Sequence, residues 1–368
     1  MKIQVQGYIT HKEAEQYSDC ADRYAYSSDT HRFAISDGVT KSFFPKIWSK
    51  ILVDEFVALQ GATDLSIESC QSKWLNEVTK KVTSPDVKWF AKNAFNQKKP
   101  GLATLITLRF DKNGEWHAKA LGDSFLFFIP KGKSDIKDWL YLSSKFSSKK
   151  PESVVFDNFP DYYASIGEKN GIENEITGKL EDGRFYLMTD ALSEWVFKEK
   201  EKALSEIETW ISQEVFEERI ANLRLQKNDA LPNKEEFLNN DDSSILIIHV
   251  DDVGKHDFLY DIKNITDIEA LIETERKNKR IGDVEKILDR AKDILGDHFR
   301  NIIREELIKT DSKWERIKII IEELIEIGEK NIAFPNKIPV VERLNEKGKE
   351  NNTAKETAKE IVKKKECK

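Results

Sequence analysis

The stretch Arg32-Phe-Ala-Ile-Ser-Asp-Gly-Val-Thr-Lys-Ser-Phe-Phe-Pro-Lys-Ile-Trp48 joins a short β run to an amphipathic helix through an acidic turn. Residues Phe33 to Ser36 are apolar or small, and Asp37 and Gly38 end the run. Ser42 is expected to cap the helix that follows, whose apolar residues recur at helical spacing. Asp37 is thereby predicted at the end of a strand, beside a glycine that lets other backbone approach closely. An ordinary Asp-Gly turn would give the same local pattern.

The composition limits the classes of function. The chain has 368 residues, of which 39% are hydrophobic and 34% are charged, and its net charge is −7. That charge argues against nucleic-acid and anionic-membrane partners. The three cysteines have no metal-binding spacing and fit a reducing compartment. The first residues show no apolar leader pattern and no run has membrane-spanning length, so we expect a soluble, cytoplasmic protein.

The order of strand and helix patterns predicts an α+β fold. Alternating or apolar runs predict antiparallel hairpins interleaved with helix pairs, without the strict βαβ alternation of a parallel sheet. The predicted strands cover residues 3–9, 22–26, 32–36, 101–110, 115–121, 125–129, 184–190 and 243–250, and the predicted helices cover 66–82, 85–95 and 193–225. Residues 131–183 are expected to form loops with one or two edge strands.

The composition changes after about residue 262. No convincing strand pattern occurs over residues 262–330, where Asp283 and Ser312 are each expected to cap a helix whose apolar residues recur at helical spacing. We expect a helical appendage there, packed on itself, on the first domain, on a partner or on a second copy of the chain. Residues 345–368 are rich in Lys, Glu, Asn and Thr with few apolar anchors, which predicts a disordered tail or a marginal helix.

Five aspartates fall at the starts or ends of predicted strands: Asp22, Asp37, Asp123, Asp190 and Asp241. Magnesium and manganese favour such hard oxygen ligands, and two ions about 4 Å apart can activate a water and orient a phosphoryl group. No His/Cys cluster indicates zinc, and no Gly-rich phosphate loop occurs. Each aspartate alone is equally well explained as a turn residue, and spacing alone does not establish that the five converge.

Six short motifs follow one another along the chain: Cys20-Ala21-Asp22, Asp37-Gly38, Gly101-Leu-Ala-Thr104, Gly122-Asp123-Ser124, Thr189-Asp190 and Asp241-Asp242-Ser-Ser-Ile245. Taken in order, they resemble the type 2C family of metal-dependent protein phosphatases (the PPM family), particularly its bacterial branch. Each motif is weak alone, but six in family order form a strong signal, which covers residues 3–250 and leaves the last third of the chain unmatched.

The resemblance implies a four-layer α/β/β/α sandwich of two antiparallel sheets flanked by helices, formed by residues 1–253, with Mn²⁺ or Mg²⁺ at one end. Such enzymes hydrolyse phosphoserine and phosphothreonine in proteins with a metal-bridging hydroxide and without a covalent intermediate. The implied partners are a phosphorylated protein substrate and the kinase that opposes it. The implied roles are Asp37 as the bridging ligand of two ions, Gly38 as a carbonyl ligand, Asp190 and Asp241 as further ligands, Asp22 as an acid held through water, and Asp123 as ligand of a third, weaker ion.

Several residues depart from the family pattern. Ala21 stands where many relatives have Glu or Gln, Val39 where some have a histidine, and Ala191 where a glycine is usual. The arginine that commonly binds phosphate is absent. His11 and Lys12 are the nearest basic residues, and His11 is predicted to grip the phosphate as a charge-assisted donor; the other explanation for both is a solvated loop.

These departures keep two other functions open. In one, a phosphatase-like domain acts without catalysis as a binding or regulatory module together with the C-terminal helices. In the other, the helical region over residues 262–330 is an assembly module and the main functional part. Retention of every predicted direct metal ligand favours the enzyme over both.

Overall fold

The computed structural model describes residues 1–85, 87–133, 135–144, 161–225, 237–254 and 257–290. The chain divides into two compact units, Met1–Ile272 and Glu273–Lys368. The sheets and the candidate site belong to the first unit, and residues 273–290 are the described part of the second. No helix within the described ranges is both long and apolar enough to cross a membrane.

The elements follow one another in the order strands, helices, strands, helices, strands and a final helix. The strands are β1 (Lys2–Thr10), β2 (Arg23–Ser27), β3 (Arg32–Ser36), β4 (Leu102–Ala103), β5 (Leu105–Phe110), β6 (Glu115–Leu121), β7 (Phe125–Pro130), β8 (Leu140–Leu142), β9 (Tyr163–Ala164), β10 (Asn174–Lys179), β11 (Gly183–Met188), β12 (Ser243–Asp251) and β13 (Leu259–Ile265). The helices are α1 (Pro45–Ala58), α2 (Ile67–Val82), α3 (Trp89–Asn96), α4 (Asp190–Glu199), α5 (Glu201–Ile207), α6 (Gln213–Leu225) and α7 (Ile268–Arg290).

Two large sheets form the centre of the fold. The first has the strand order β13-β1-β12-β11-β7-β8 and the second the order β10-β6-β5-β3-β2, while β4 and β9 form a separate two-stranded sheet. Every described strand pair is antiparallel except β1 with β13, which is parallel. The predicted antiparallel character therefore holds for all but this edge strand.

Three apolar clusters separate four layers. One lies between the sheets, another between the first sheet and α4–α6, and a third between the second sheet and α1 and α2. β7 shows how one strand serves two clusters: Phe125 and Phe127 face the helices, whereas Leu126 and Phe128 face the other sheet. Successive side chains of a strand point to opposite faces, so a strand covered on both sides is apolar throughout. The predicted α/β/β/α sandwich is confirmed.

β13 corrects the expectation that no strand follows residue 262. It pairs with β1 from Lys2↔Leu259 to Gly7↔Ile265, so it begins after the predicted domain end at 253 and runs into the predicted appendage. Its sequence Leu-Tyr-Asp-Ile-Lys-Asn-Ile is mostly exposed, which is why it lacks a clear strand pattern.

Three predicted helix starts are also wrong. Phe44, at a φ of 50°, precedes α1, and the Ser42 hydroxyl accepts a hydrogen bond from the amide of Leu102 (2.9 Å) instead of capping the helix. α3 begins at Trp89 rather than at residue 85. α7 runs from Ile268 through Asp283, where a separate helix was expected to begin. The predicted helix after Ser312 and the tail over residues 345–368 lie outside the described residues.

Candidate metal and phosphate site

The second sheet brings three of the five aspartates to one end of the sandwich. Asp22 directly precedes β2 and Asp37 directly follows β3, and the two strands pair with Arg23 opposite Ser36. Asp123 lies in the turn between β6 and β7. Antiparallel pairing places the start of one strand beside the end of its neighbour, so these residues lie at the same end of the sheet.

The first sheet supplies the other two. Asp190 follows β11 and is the first residue of α4, and Asp241 lies two residues before β12. β11 and β12 pair with Met188 opposite Ile245. The amide of Thr189 donates to the carbonyl of Ser244 (3.1 Å), and the amide of Ser244 donates to the Thr189 hydroxyl (3.0 Å). These bonds hold the two acidic ends together.

Electrostatic coupling indicates that the five carboxylates converge. The pKa of Asp37 is raised well above its ordinary range, first by burial and then by the charges of Asp22, Asp190, Asp123 and Asp241. The pKa of Asp190 is raised in the same way, with Asp123 the strongest charged neighbour. Repulsion between carboxylates falls with distance, so these contributions indicate that the carboxylates lie near one another.

Asp22 is the most enclosed member of the cluster. Its side chain is 1% exposed, and neither carboxylate oxygen has a hydrogen-bond partner within the described parts of the chain. Burial raises the pKa of Asp22 to about 8, and the charge of Asp242 adds to the rise. A buried carboxylate without a partner is costly unless a cation compensates it.

Thr104 connects Asp37 to the turn that carries Asp123. Its hydroxyl accepts from the amide of Asp37 (3.1 Å) and shares a hydrogen bond with the Ser124 hydroxyl (2.9 Å). The amide of Thr104 donates to the carbonyl of Asp37 (2.8 Å). Its side chain is completely buried, so these bonds fix the Asp37 backbone in a protected environment.

Gly38 lies where no side chain fits. A Cβ at this position would lie 2.8 Å from the carbonyl oxygen of Ala21, closer than real Cβ contacts. Gly38 also forms an isolated antiparallel bridge with Ala103. The glycine therefore allows the loop that leads to Asp22 to approach the acidic turn closely.

Asp242 and Arg224 tie the loops of the site together, and the sequence reasoning assigned neither a role. The Asp242 carboxylate accepts from the amides of Ala21 (2.8 Å) and Lys12 (3.1 Å). The buried Arg224 guanidinium, on α6, donates to the carbonyls of His11 (2.9 Å) and Asp241 (2.5 Å). Asp242 belongs to a quoted motif, whereas an arginine in an amphipathic helix gives no signal of this kind.

The two basic candidates before Asp22 differ in what they contact. Nδ1 of His11 lies 2.7 Å from the carbonyl of Lys12, which can only accept, so this nitrogen carries the proton. Nζ of Lys12 lies 2.8 Å from Oδ1 of Asp241 and 3.1 Å from the Thr40 hydroxyl. Burial would lower the pKa of Lys12, but Asp241 and the other nearby carboxylates raise it above its ordinary value. Lys12 is thus the cation beside the carboxylates.

The residues that depart from the family pattern occupy the same loops. The amide of Ala191 donates to Oδ1 of Asp190 (2.7 Å), and its methyl group is buried against the helical layer. The amide of Val39 donates to the carbonyl of Leu102 (2.9 Å). Neither residue prevents the approach of the aspartates.

The donor set fits a hard divalent cation. Among the described residues, no three His, Cys, Asp or Glu side chains are arranged to hold one ion jointly. Mg²⁺, however, keeps several waters and is usually bound through one or two carboxylates, so it does not require such a group. The enclosed, uncompensated carboxylate of Asp22 and the mutual repulsion around Asp37 are the features that a cation would relieve.

Comparison with protein-family models gives no match, and no curated protein matches the chain. Several solved structures are similar in fold. The photosystem II phosphatase PBCP is 17% identical, with 67% of this chain and 98% of that chain covered and a TM-score of 0.42. PppA, a regulatory component of T6SS in Pseudomonas aeruginosa, is 12% identical, with coverage of 68% and 98% and a TM-score of 0.41. The serine/threonine phosphatase Stp1 from Staphylococcus aureus is 10% identical, with coverage of 67% and 95% and a TM-score of 0.40. These values assign no activity to this chain.

Proposed function

We propose that the chain is a Mn²⁺- or Mg²⁺-dependent phosphatase that hydrolyses phosphoserine and phosphothreonine in proteins. The convergence of five aspartates at one end of a sandwich carries the proposal, because such a cluster is unfavourable without cations and suits phosphoryl transfer with them. The six family-like motifs support it, since the aspartates in question belong to those motifs.

In this proposal the acidic residues divide into three roles. Asp37, Asp190, Asp241 and the Gly38 carbonyl would hold two ions, Asp123 would hold a third more weakly, and Asp22 would act on them through solvent. When bound, the ions neutralise the phosphoryl oxygens and lower the pKa of the attacking water. Thr104 and Asp242 do not contact the phosphate; they fix the backbone that carries Asp37 and Asp22.

Lys12 is the better candidate for binding the phosphate. An ammonium group has three donors, and Asp241 and Thr40 account for two of them. The third can reach a phosphate oxygen that enters the cluster. His11 remains a prediction: when its ring is neutral with the proton on Nδ1, its other nitrogen accepts and cannot donate to a phosphate.

Phosphate release from a phosphothreonine peptide tests this function. With the full chain, we expect release in the presence of Mn²⁺ or Mg²⁺, its loss on chelation and its recovery when the metal is restored. A small aryl phosphate provides a second substrate that requires no peptide contacts. Release that is unchanged by chelation would refute metal dependence. Binding of the phosphopeptide with no release at any metal concentration would instead support the noncatalytic module.

A further inference from the structure

Residues 80–99, here called the basic segment, have a charge opposite to that of the whole chain. The segment contains the end of α2, the following loop, all of α3 and the turn after it. It has one acidic residue, Asp86, which lies outside the described ranges, in a chain whose net charge is −7. Its six basic residues are Lys80, Lys81, Lys88, Lys92, Lys98 and Lys99.

These six lysines have free ammonium groups as far as the described residues go. All six are exposed, and no described acidic side chain forms an ion pair with any of them. By contrast, Lys73, earlier on α2, pairs with Glu55, and Lys119 on β6 pairs with Asp64. The basic segment therefore presents uncompensated positive charge to an incoming ligand.

Two aromatic side chains are exposed within this charge. Trp89 is 76% exposed and Phe90 56%, with ring centroids 6.5 Å apart, and Nζ of Lys88 lies 5.9 Å from the centroid of Phe90. No residue of α3 is fully buried. Large aromatic residues left out of the core and grouped with cations are typical of binding surfaces.

The basic segment leads directly into the acidic end of the sandwich. Lys99 is four residues before Ala103, which bridges to Gly38 beside Asp37. Four residues span at most about 14 Å. The amide of Phe43 donates to the carbonyl of Pro100 (3.0 Å), which joins this strand approach to the loop that follows Asp37. A polypeptide with a phosphate at the carboxylates can therefore place neighbouring residues beside Lys99, at the end of the basic segment.

We infer that the basic segment is a docking surface for an acidic stretch of the phosphoprotein substrate, an inference that rests on the proposed function. The lysines pair with the acidic residues beside the phosphorylated position, and Trp89 and Phe90 pack against apolar side chains between them. A peptide matches the local extent of this charge better than a nucleic acid does, because an extended polyanion would also meet the acidic remainder of the chain.

Fluorescence anisotropy measures docking without requiring catalysis. The probes are a labelled phosphothreonine peptide flanked by Glu and Asp and the same peptide with Gln and Asn in their place. We expect the wild-type protein to bind the acidic peptide more tightly than the neutral one. Lys88→Glu/Lys92→Glu should weaken binding of the acidic peptide by about tenfold, and added salt should weaken it further. Lys112→Glu/Lys179→Glu changes the net charge equally at two other exposed lysines and should leave binding near wild type.

The aromatic contribution has its own pair of variants. Trp89→Ala/Phe90→Ala should weaken binding of the acidic peptide by about tenfold, as expected for aromatic anchors that the bound peptide would cover. Ile211→Ala/Leu225→Ala removes two other exposed apolar side chains and should have little effect. All four double variants should hydrolyse a small aryl phosphate like the wild type.

Equal affinity for the acidic and neutral peptides, or equal losses in a variant pair and its control, would overturn the docking surface. Tighter binding of a single-stranded oligonucleotide or an anionic vesicle through the same lysines would overturn it in favour of that class of partner. A failure of the proposed phosphatase activity can be told apart from a failure of the docking surface. In the first case the wild type would not hydrolyse the aryl phosphate, while fluorescence anisotropy would still measure docking.

Discussion

At the scale of single residues, Lys12 places a positive charge beside Asp241, at the acidic cluster. Its ammonium group bonds to Asp241 while its backbone amide donates to Asp242, so both ends of the residue are fixed. This geometry lets it bind a phosphate oxygen without a large search of side-chain conformations. Its positive charge also repels a cation bound at Asp241. Removing Lys12 should therefore weaken phosphate binding without weakening metal binding.

Lys12→Met should therefore lower kcat/KM for a small aryl phosphate by about tenfold, as the loss of one charge-assisted bond requires. Mn²⁺ affinity should stay the same or rise, because a like charge is removed from Asp241. Steady-state kinetics and calorimetry provide the two readouts. His11→Ala is the matched comparison at the adjacent residue, and we expect it to cost less. If His11→Ala lowers kcat/KM by about tenfold and Lys12→Met does not, His11 is the phosphate-binding residue, as the sequence predicts.

At the scale of elements, α6 holds two loops of the site in place from outside the sheets. Arg224 binds the carbonyls of His11 and Asp241, and Gln213, at the start of the same helix, donates to the carbonyl of Ile9. Two loops from opposite ends of the first unit's sequence thus depend on one helix. The geometry of the metal ligands should be sensitive to this support.

Arg224→Met should weaken Mn²⁺ binding by about tenfold and lower the stability of the fold by roughly 1–3 kcal/mol, since it leaves buried carbonyl groups without donors. Arg219→Met on the same helix is the control, because Arg219 is half exposed and pairs with Glu206 at the surface. Calorimetry and urea unfolding measure the two effects. Equal effects of the two substitutions would show that Arg224 does not organise the site.

β13 and the start of α7 extend the first unit past the last motif. β13 covers the edge of β1. Ile268 and Ile272 of α7 pack in a cluster with Ile9 of β1 and with Tyr17 and Cys20, which lie on the loop that leads to Asp22. An uncovered strand edge promotes aggregation, and loss of this cluster would loosen the Asp22 loop.

A chain ending after residue 254 should therefore aggregate or lose activity, whereas one ending after residue 290 should retain the activity of the full chain. Size-exclusion chromatography and aryl phosphate hydrolysis provide the readouts. If the domain instead ended at residue 253, as the sequence predicts, the shorter chain would be soluble and active. A soluble, active chain of 254 residues would show that β13 and α7 are dispensable.

At the scale of the whole molecule, periodic patterns predict the sandwich because both faces of most strands are covered. β7 and β12 are apolar on both faces and were predicted closely, whereas β13 is mostly exposed and was missed. The convergence of the carboxylates depends on the register between strands far apart in sequence, such as β1 with β12, which local patterns do not encode. Only the ordered motifs indicated it in advance. Arg224 acquires its role from tertiary packing and could not be found in the sequence, whereas Lys12 was one of two basic candidates and only its contacts distinguish it from His11.

The central claim is that the aspartates bind divalent cations for phosphoester hydrolysis, and turnover of Asp37→Asn tests it most directly. An amide of nearly the same shape preserves packing but cannot bridge two cations, so kcat with saturating Mn²⁺ should fall by about a hundredfold or more. Asp64→Asn, at an exposed aspartate away from the cluster, should match the wild type. The account predicts a folded, inactive Asp37→Asn protein; a variant that keeps near-wild-type, Mn²⁺-dependent turnover would contradict it.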